Sequence, residues 1–170
     1  MSRFTDCLAI VKQLEGGLAN TLHDTGGPTA YGITQAVYDA WRQAQGLSTQ
    51  PVSFIGDHEV DTIYFTQYWQ PAHCDDLPRP LDCFHFDTAV NMGVESAARL
   101  LQTALGTVVI DGVIGPETLA AVAAANPWVL LARYAGVRCM RYGVIAAVRP
   151  NQCGFLRGWL RRVGTLLQRL

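Results

Sequence analysis

The sequence lacks the features that would place it in a membrane or on nucleic acid. No run of about 18 apolar residues occurs along the chain, so we expect no membrane-spanning helix. Its first residues contain Arg3, Asp6 and only a short apolar run, which is not a secretory signal, so we expect synthesis in the cytoplasm without a signal peptide. The formal net charge of −1 supplies no positive field for a phosphate backbone, so nucleic acid is not an expected partner.

The cysteines show neither a disulfide framework nor a zinc pattern. They are odd in number, widely spaced and without a CxxC pair. We therefore interpret them as buried thiols and expect no metal ion and no organic cofactor. They are Cys7, Cys74, Cys83, Cys139 and Cys153.

The chain does contain enough apolar sequence for a folded core. Hydrophobic residues make up 49% and charged residues 16%, which is typical of globular proteins. Apolar residues recur at helical spacing along most of the chain, and this pattern predicts a mainly α fold with one small β-hairpin. A first helix is expected before Gly16, and later ones near 35–45, 57–69, 81–93, 95–105, 116–125, 127–148 and 155–170.

The stretch LEGGLANTLHDTGGPTAYGIT, residues 14–34, carries the most informative chemistry. Glu15 follows Val11 by four residues, so it extends the apolar face of the first helix, and Gly16-Gly17 ends that helix. Asp24 stands in a turn-rich segment with polar surroundings. An acid on an apolar face and a carboxylate on a turn have environments that separate their pKa values, as glycoside hydrolysis requires. The alternative is that Glu15 is a solvated residue beside a helix end.

This stretch resembles the signature of glycoside hydrolase family 108, a family of bacterial and phage N-acetylmuramidases, with its EGG…D…GG.T..GIT pattern. The resemblance implies a lysozyme-like, two-lobed helical fold with the hairpin near the active site. It implies Glu15 as general acid and Asp24 as the residue that positions the attacking water. A threonine should help to hold that water, and we favour Thr29 because Thr34 is better placed to cap the next helix. Three residues of the stretch are assigned to substrate binding: Asn20, Tyr31 and Thr34.

The segment DTAVNMGVESAARLLQTALG…IDGVIGPETLAA, from Asp87 onward, resembles the peptidoglycan-binding-type region that accompanies family 108 catalytic modules. The resemblance implies that the VN.G segment forms part of the wall of the substrate groove. Asn91 is therefore a substrate-binding candidate. We therefore expect an N-terminal catalytic lobe over 1–75 and a helical C-terminal lobe over 76–170, packed as one globular unit with the groove between them.

Two further expectations concern the C-terminal half. Apolar residues wrap most of the way round the helix at 127–148, which predicts that it is the central buried helix. Arginines recur along the last helix, and we interpret them as a solvated polar face; the alternative is a surface that faces the anionic wall polymer. They are Arg157, Arg161, Arg162 and Arg169.

The resemblance implies a lysozyme-type muramidase that cuts the β-1,4 bond between N-acetylmuramic acid and N-acetylglucosamine, and we predict inversion. Two alternatives remain: a lytic transglycosylase, which needs no Asp24, and a non-catalytic wall-binding module, which needs neither acid.

The expected partner is the peptidoglycan glycan strand, with the enzyme as a monomer. An inhibitor or immunity protein and a delivery system are further candidates. Action in the periplasm or cell wall would follow holin release, as for an endolysin, or delivery by a secretion system, as for an antibacterial effector.

Overall fold

The computed structural model describes residues 2–15 and 29–170, and this part of the chain is mainly helical with one two-stranded antiparallel sheet, as the sequence predicts. None of its helices is long and apolar enough to cross a bilayer. The elements are α1 (Arg3–Glu15), β1 (Thr29–Ala30), β2 (Ile33–Thr34), α2 (Gln35–Ala44), α3 (Asp57–Tyr64), α4 (Leu81–Met92), α5 (Val94–Leu105), α6 (Pro116–Ala124), α7 (Pro127–Val148) and α8 (Leu156–Leu167).

Helix starts follow ordinary capping chemistry. The Ser2 hydroxyl accepts a hydrogen bond from the amide of Thr5 at 3.3 Å, so the first helix is capped by Ser2. Asn126 caps α7 by accepting from the amides of Trp128 and Val129. These side chains satisfy amides that the first helical turn leaves without a partner.

The described chain divides into two compact units, Met1–Gln67 and Tyr68–Leu170. In the first unit, a hydrogen-bond cluster around Glu59 ties α2 to α3. Tyr38 donates to its carboxylate at 2.6 Å, Arg42 pairs with it at 2.6 Å, and the Gly56 amide donates at 3.0 Å. Burial alone would raise the pKa of Glu59, but these donors outweigh it and lower the pKa.

The central helix of the second unit is α4, and the prediction that this role falls to α7 is wrong. Every residue from 81 to 89 is buried. On α7, by contrast, Val129 is 51% exposed and Met140 is 65% exposed. The polar residues of α4 concealed its position, because burial of polar groups requires partners that a local pattern does not reveal.

Those partners form a buried ion cluster around Asp87, whose side chain is fully buried. Its carboxylate pairs with Arg138 of α7 at 2.7 Å and accepts two hydrogen bonds from Arg162 of α8, at 2.7 and 3.0 Å. Arg162 therefore does not belong to a solvated face, whereas Arg157 and Arg161 are exposed as expected. A carboxylate with this many charged donors tolerates burial that a lone acid would not.

Three of the five cysteines, Cys7, Cys74 and Cys83, are buried as predicted. Cys139 is half-buried and Cys153 is exposed, so the expectation of buried thiols is wrong for these two. Cys153 lies in the turn Pro150–Phe155 before α8, and no residue of that turn is buried.

Candidate active site

Glu15 is the last residue of α1 and stands where that helix meets the small hairpin. The buried residues Cys7, Leu8 and Val11 hold the apolar face of α1 in the core of the first unit. Glu15 continues that face and is itself half-buried. A methyl group added to Gly32 would lie only 3.0 Å from Glu15 Oε2, so the turn of the hairpin touches the carboxylate.

The hairpin is closed by a two-residue turn with unusual backbone angles. Ala30 pairs with Ile33 across the strands, and between them Tyr31 and Gly32 have φ values of 51° and 75°. Positive φ at both positions is the geometry of a type I′ turn, which matches the twist of the flanking strands. Gly32 adopts it without strain, whereas a side chain such as that of Tyr31 carries a cost of about 1–3 kcal/mol.

Two neighbouring helices hold this strained turn in place. The Tyr64 hydroxyl of α3 donates to the carbonyl oxygen of Tyr31 at 2.7 Å. The Lys12 ammonium of α1 lies 6.0 Å from the centre of the Tyr31 ring and pairs with Asp61 of α3 at 2.6 Å. The same added methyl group on Gly32 would lie 3.1 Å from the Tyr64 oxygen. The end of α1, the turn of the hairpin and α3 therefore all lie beside the Glu15 carboxylate.

The two threonines of the hairpin have different surroundings. Thr29 and Thr34 face each other across the strands. The Thr34 hydroxyl accepts from the amide of Val37 at 3.3 Å and caps α2, which confirms the predicted cap. Thr29, on β1, is half-buried. One hydroxyl of the pair is therefore committed to helix capping.

Comparison with known proteins identifies the family. Residues 8–93 match the family described as glycosyl hydrolase 108, and residues 96–164 match one described as a predicted peptidoglycan domain. The chain belongs to glycosyl hydrolase family 108. It is similar to a solved structure described as that of SagA from Brucella abortus, with 30% identity, a TM-score of 0.82, and coverage of 98% of this chain and 92% of that one. No match is found among curated proteins.

Membership of family 108 makes the protein a glycoside hydrolase that acts on peptidoglycan, and its place of action is the cell wall or periplasm. The predicted family and the predicted enzyme class are thus confirmed. Within the described residues, no group of three or more histidine, cysteine, aspartate or glutamate side chains could hold a metal ion.

The structure places the predicted family 108 site residues in two locations. The first unit holds Glu15, together with three residues of the hairpin: Thr29, Tyr31 and Thr34. Asn20 and Asp24 lie outside the described residues. Asn91 lies on α4 in the second unit, where its Oδ1 accepts a hydrogen bond from the Tyr142 hydroxyl at 2.5 Å.

Sequence reasoning missed two residues that shape the surroundings of Glu15. Tyr64 lies on α3 and is only 2% exposed. Lys12 lies on α1 and pairs with Asp61. Their joint contact with Tyr31 depends on packing between elements about 20 to 50 residues apart in the chain, for which helical periodicity gives no signal.

Proposed function

We propose that this chain is an endo-N-acetylmuramidase that hydrolyses the β-1,4 bond between N-acetylmuramic acid and N-acetylglucosamine, with Glu15 as its general acid. The observation that carries the proposal is the placement of Glu15. It ends a buried helix face, and a strained turn fixed by Tyr64 and Lys12 touches its carboxylate. A carboxylate held in one position suits proton transfer, which depends on geometry before it depends on acidity.

In this reaction Glu15 donates its proton to the glycosidic oxygen while the bond between that oxygen and the anomeric carbon breaks. Water attacks the anomeric carbon from the opposite face and passes a proton to Asp24, which supplies the base. Thr29 helps to hold the water by hydrogen bonding. The net reaction consumes one water and releases one new reducing end.

Support for Thr29 over Thr34 as the water-holding hydroxyl comes from the cap. Thr34 already accepts the Val37 amide, so a change there acts first on α2. Tyr31, held at the tip of the hairpin, offers an aromatic ring for contact with a sugar, and Asn20 and Thr34 complete the proposed binding residues of the stretch.

We propose inversion at the anomeric carbon. A retaining enzyme needs a carboxylate about 5–5.5 Å from the acid to form a covalent intermediate, whereas an inverting enzyme leaves about 6.5–9.5 Å for water. The segment between Glu15 and Asp24 contains no other acid, and a threonine partner suits a bound water better than a nucleophile.

Proton NMR of the first products from purified peptidoglycan tests this mechanism. The expected first product is the α-anomer of the new reducing muramic acid, before mutarotation. An initial β-anomer would show retention, and a 1,6-anhydro product would show a transglycosylase and overturn hydrolysis.

Asp24→Asn provides the companion test. The turnover number should fall strongly while the binding of glycan fragments stays nearly unchanged, because the base acts mainly in the transition state. A variant that turns over normally but binds fragments poorly would place Asp24 on the binding surface instead.

We also propose two routes by which the enzyme reaches the wall: release through a holin, as for a phage endolysin, or delivery by a secretion system, as for an antibacterial effector. An adjacent holin gene would favour the first route. An adjacent immunity gene, whose product should bind the purified enzyme and inhibit it, would favour the second.

A further inference from the structure

The second unit contains a pocket of about 240 Å³ between the end of α4, the C-terminal half of α7 and the start of α8. We call it the arginine pocket, and its lining includes Asn91, Arg141, Tyr142, Arg149, Gln152 and Trp159. None of the residues that line it is acidic. Among the described residues, neither Arg141 nor Arg149 has an ion-pair partner, and both are exposed. Although the chain has a net charge of −1, these two guanidinium groups give the pocket a local positive charge.

The hydrogen bonds behind the pocket fix which way its polar groups point. An arginine can only donate, so the bond of 3.0 Å between Arg138 Nε and the Tyr142 oxygen makes Tyr142 an acceptor there. The hydroxyl hydrogen of Tyr142 is then left to donate to Asn91 Oδ1, at 2.5 Å. Because the Asn91 carbonyl oxygen is engaged in this way, its amide group offers two N–H donors. The arginine pocket is therefore lined mainly by donors.

Arg138 adds a positively charged donor next to the pocket. Its Nη1 pairs with Asp87, and its Nε donates to Tyr142, which lines the pocket. Its Nη2 is buried and has no hydrogen-bond partner among the described residues. A buried donor of this kind favours an acceptor close by.

We propose that the arginine pocket binds the carboxylate-bearing stem peptide of peptidoglycan. This inference rests on the proposed function, because it takes the wall polymer as the substrate. Guanidinium groups bind carboxylates through paired charge-assisted hydrogen bonds, and the stem peptide supplies the carboxylates of the polymer. Trp159, which stacks on Tyr142 at 5.1 Å, gives the pocket an apolar side suited to the methyl groups of lactyl and alanyl units.

The size of the pocket favours a peptide fragment over a length of glycan. Sites that enclose a drug-sized ligand measure roughly 300–1,000 Å³, and this one is smaller, at about 240 Å³. A neutral disaccharide would also leave both guanidinium groups without a counter-charge. The pocket therefore suits one or two residues of an acidic peptide.

Isothermal titration calorimetry of the full chain with N-acetylmuramyl-L-alanyl-D-glutamate tests the proposal. This ligand has no glycosidic bond between sugars, so its binding does not depend on catalysis. We expect the double variant Arg141→Gln/Arg149→Gln to bind it at least ~10-fold more weakly, equivalent to about 1.4 kcal/mol. Wild type should bind the diamide, the same ligand with both carboxylates converted to amides, about as weakly as the double variant binds the acid.

The control is Arg161→Gln, which removes one arginine charge from an exposed position of α8 outside the pocket lining. It should leave the dissociation constant within about twofold of wild type, as surface substitutions usually do. The proposal is overturned if wild type shows no binding, if the diamide binds as well as the acid, or if Arg161→Gln weakens binding as much as the double variant. An enzyme that releases no muramic acid reducing ends but binds this ligand through the two arginines would instead refute only the proposed hydrolysis.

Discussion

Gly32→Ala should separate the geometry of the active site from the stability of the fold. At Gly32 the backbone φ is +75°, where a side chain costs about 1–2 kcal/mol in a left-handed conformation. The new methyl group would also lie 3.0 Å from Glu15 Oε2 and 3.1 Å from the Tyr64 oxygen. The carboxylate is the far end of a flexible side chain, so it can move by a few tenths of an ångström at little cost in stability.

That small displacement should matter for catalysis. Proton transfer depends on hydrogen-bond reach, and misplacement of a reacting group by about 1 Å can cost ~10²-fold in rate. We therefore expect Gly32→Ala to lose roughly 10- to 100-fold in the turnover number on purified peptidoglycan, with a loss of only about 1–2 kcal/mol in the free energy of unfolding.

Gly46→Ala is the matched control for this experiment. Gly46 follows α2 with φ +70°, and a methyl group added there would have nothing within 4 Å. It should lose similar stability and keep its activity. The reasoning is refuted if Gly32→Ala retains activity within about twofold of wild type, or if both variants lose activity in step with their stability.

Three other predictions concern residues of the two units. Thr34→Ala should cost about 1 kcal/mol of stability in chemical denaturation, because the Val37 amide loses its cap. Since Thr34 is also a proposed binding residue, any loss of activity should appear as a higher KM, with the turnover number little changed. Tyr64→Phe should lower the turnover number more than the stability, since the Tyr31 carbonyl loses its donor and the turn of the hairpin loosens. Burial lowers the pKa of His85 from 6.5 to about 4. Between pH 6.5 and pH 4 the unfolded chain therefore binds a proton that the folded chain does not. The free energy of unfolding should fall as the pH drops through this range, by about 3 kcal/mol in all. His85→Gln should remove most of this slope in melting curves measured across the window, and an unchanged slope would contradict the assignment.

Local chemistry explains why the helices could be predicted well from the sequence. Thr34 and Asn126 cap helices through hydrogen bonds that span two or three residues, and Pro116 starts α6 at the first position that tolerates it. Signals of this kind lie within a few residues of the boundary they set. The same locality let the EGG and GIT motifs predict a helix end followed by a hairpin.

The sequence predicted less well which helices and polar side chains are buried, because burial depends on contacts between residues that are distant in the chain. Asp87 looks like a surface residue in a local pattern, and it is fully buried only because Arg138 and Arg162, 51 and 75 residues later, neutralise it. No local pattern connects Tyr64 with Tyr31 either, since the two are 33 residues apart. Networks of this kind are specified by the assembled core, where low dielectric makes a satisfied ion cluster tolerable.

The central claim, that Glu15 is the general acid, is tested most directly by Glu15→Gln. Glutamine has nearly the same shape and cannot supply the carboxylic proton, so the melting temperature should stay close to that of wild type. Release of reducing ends from purified peptidoglycan should fall by at least ~10²–10⁴-fold, the usual contribution of general acid catalysis. A variant with normal thermal stability that lyses peptidoglycan within about tenfold of the wild-type rate would contradict the assignment.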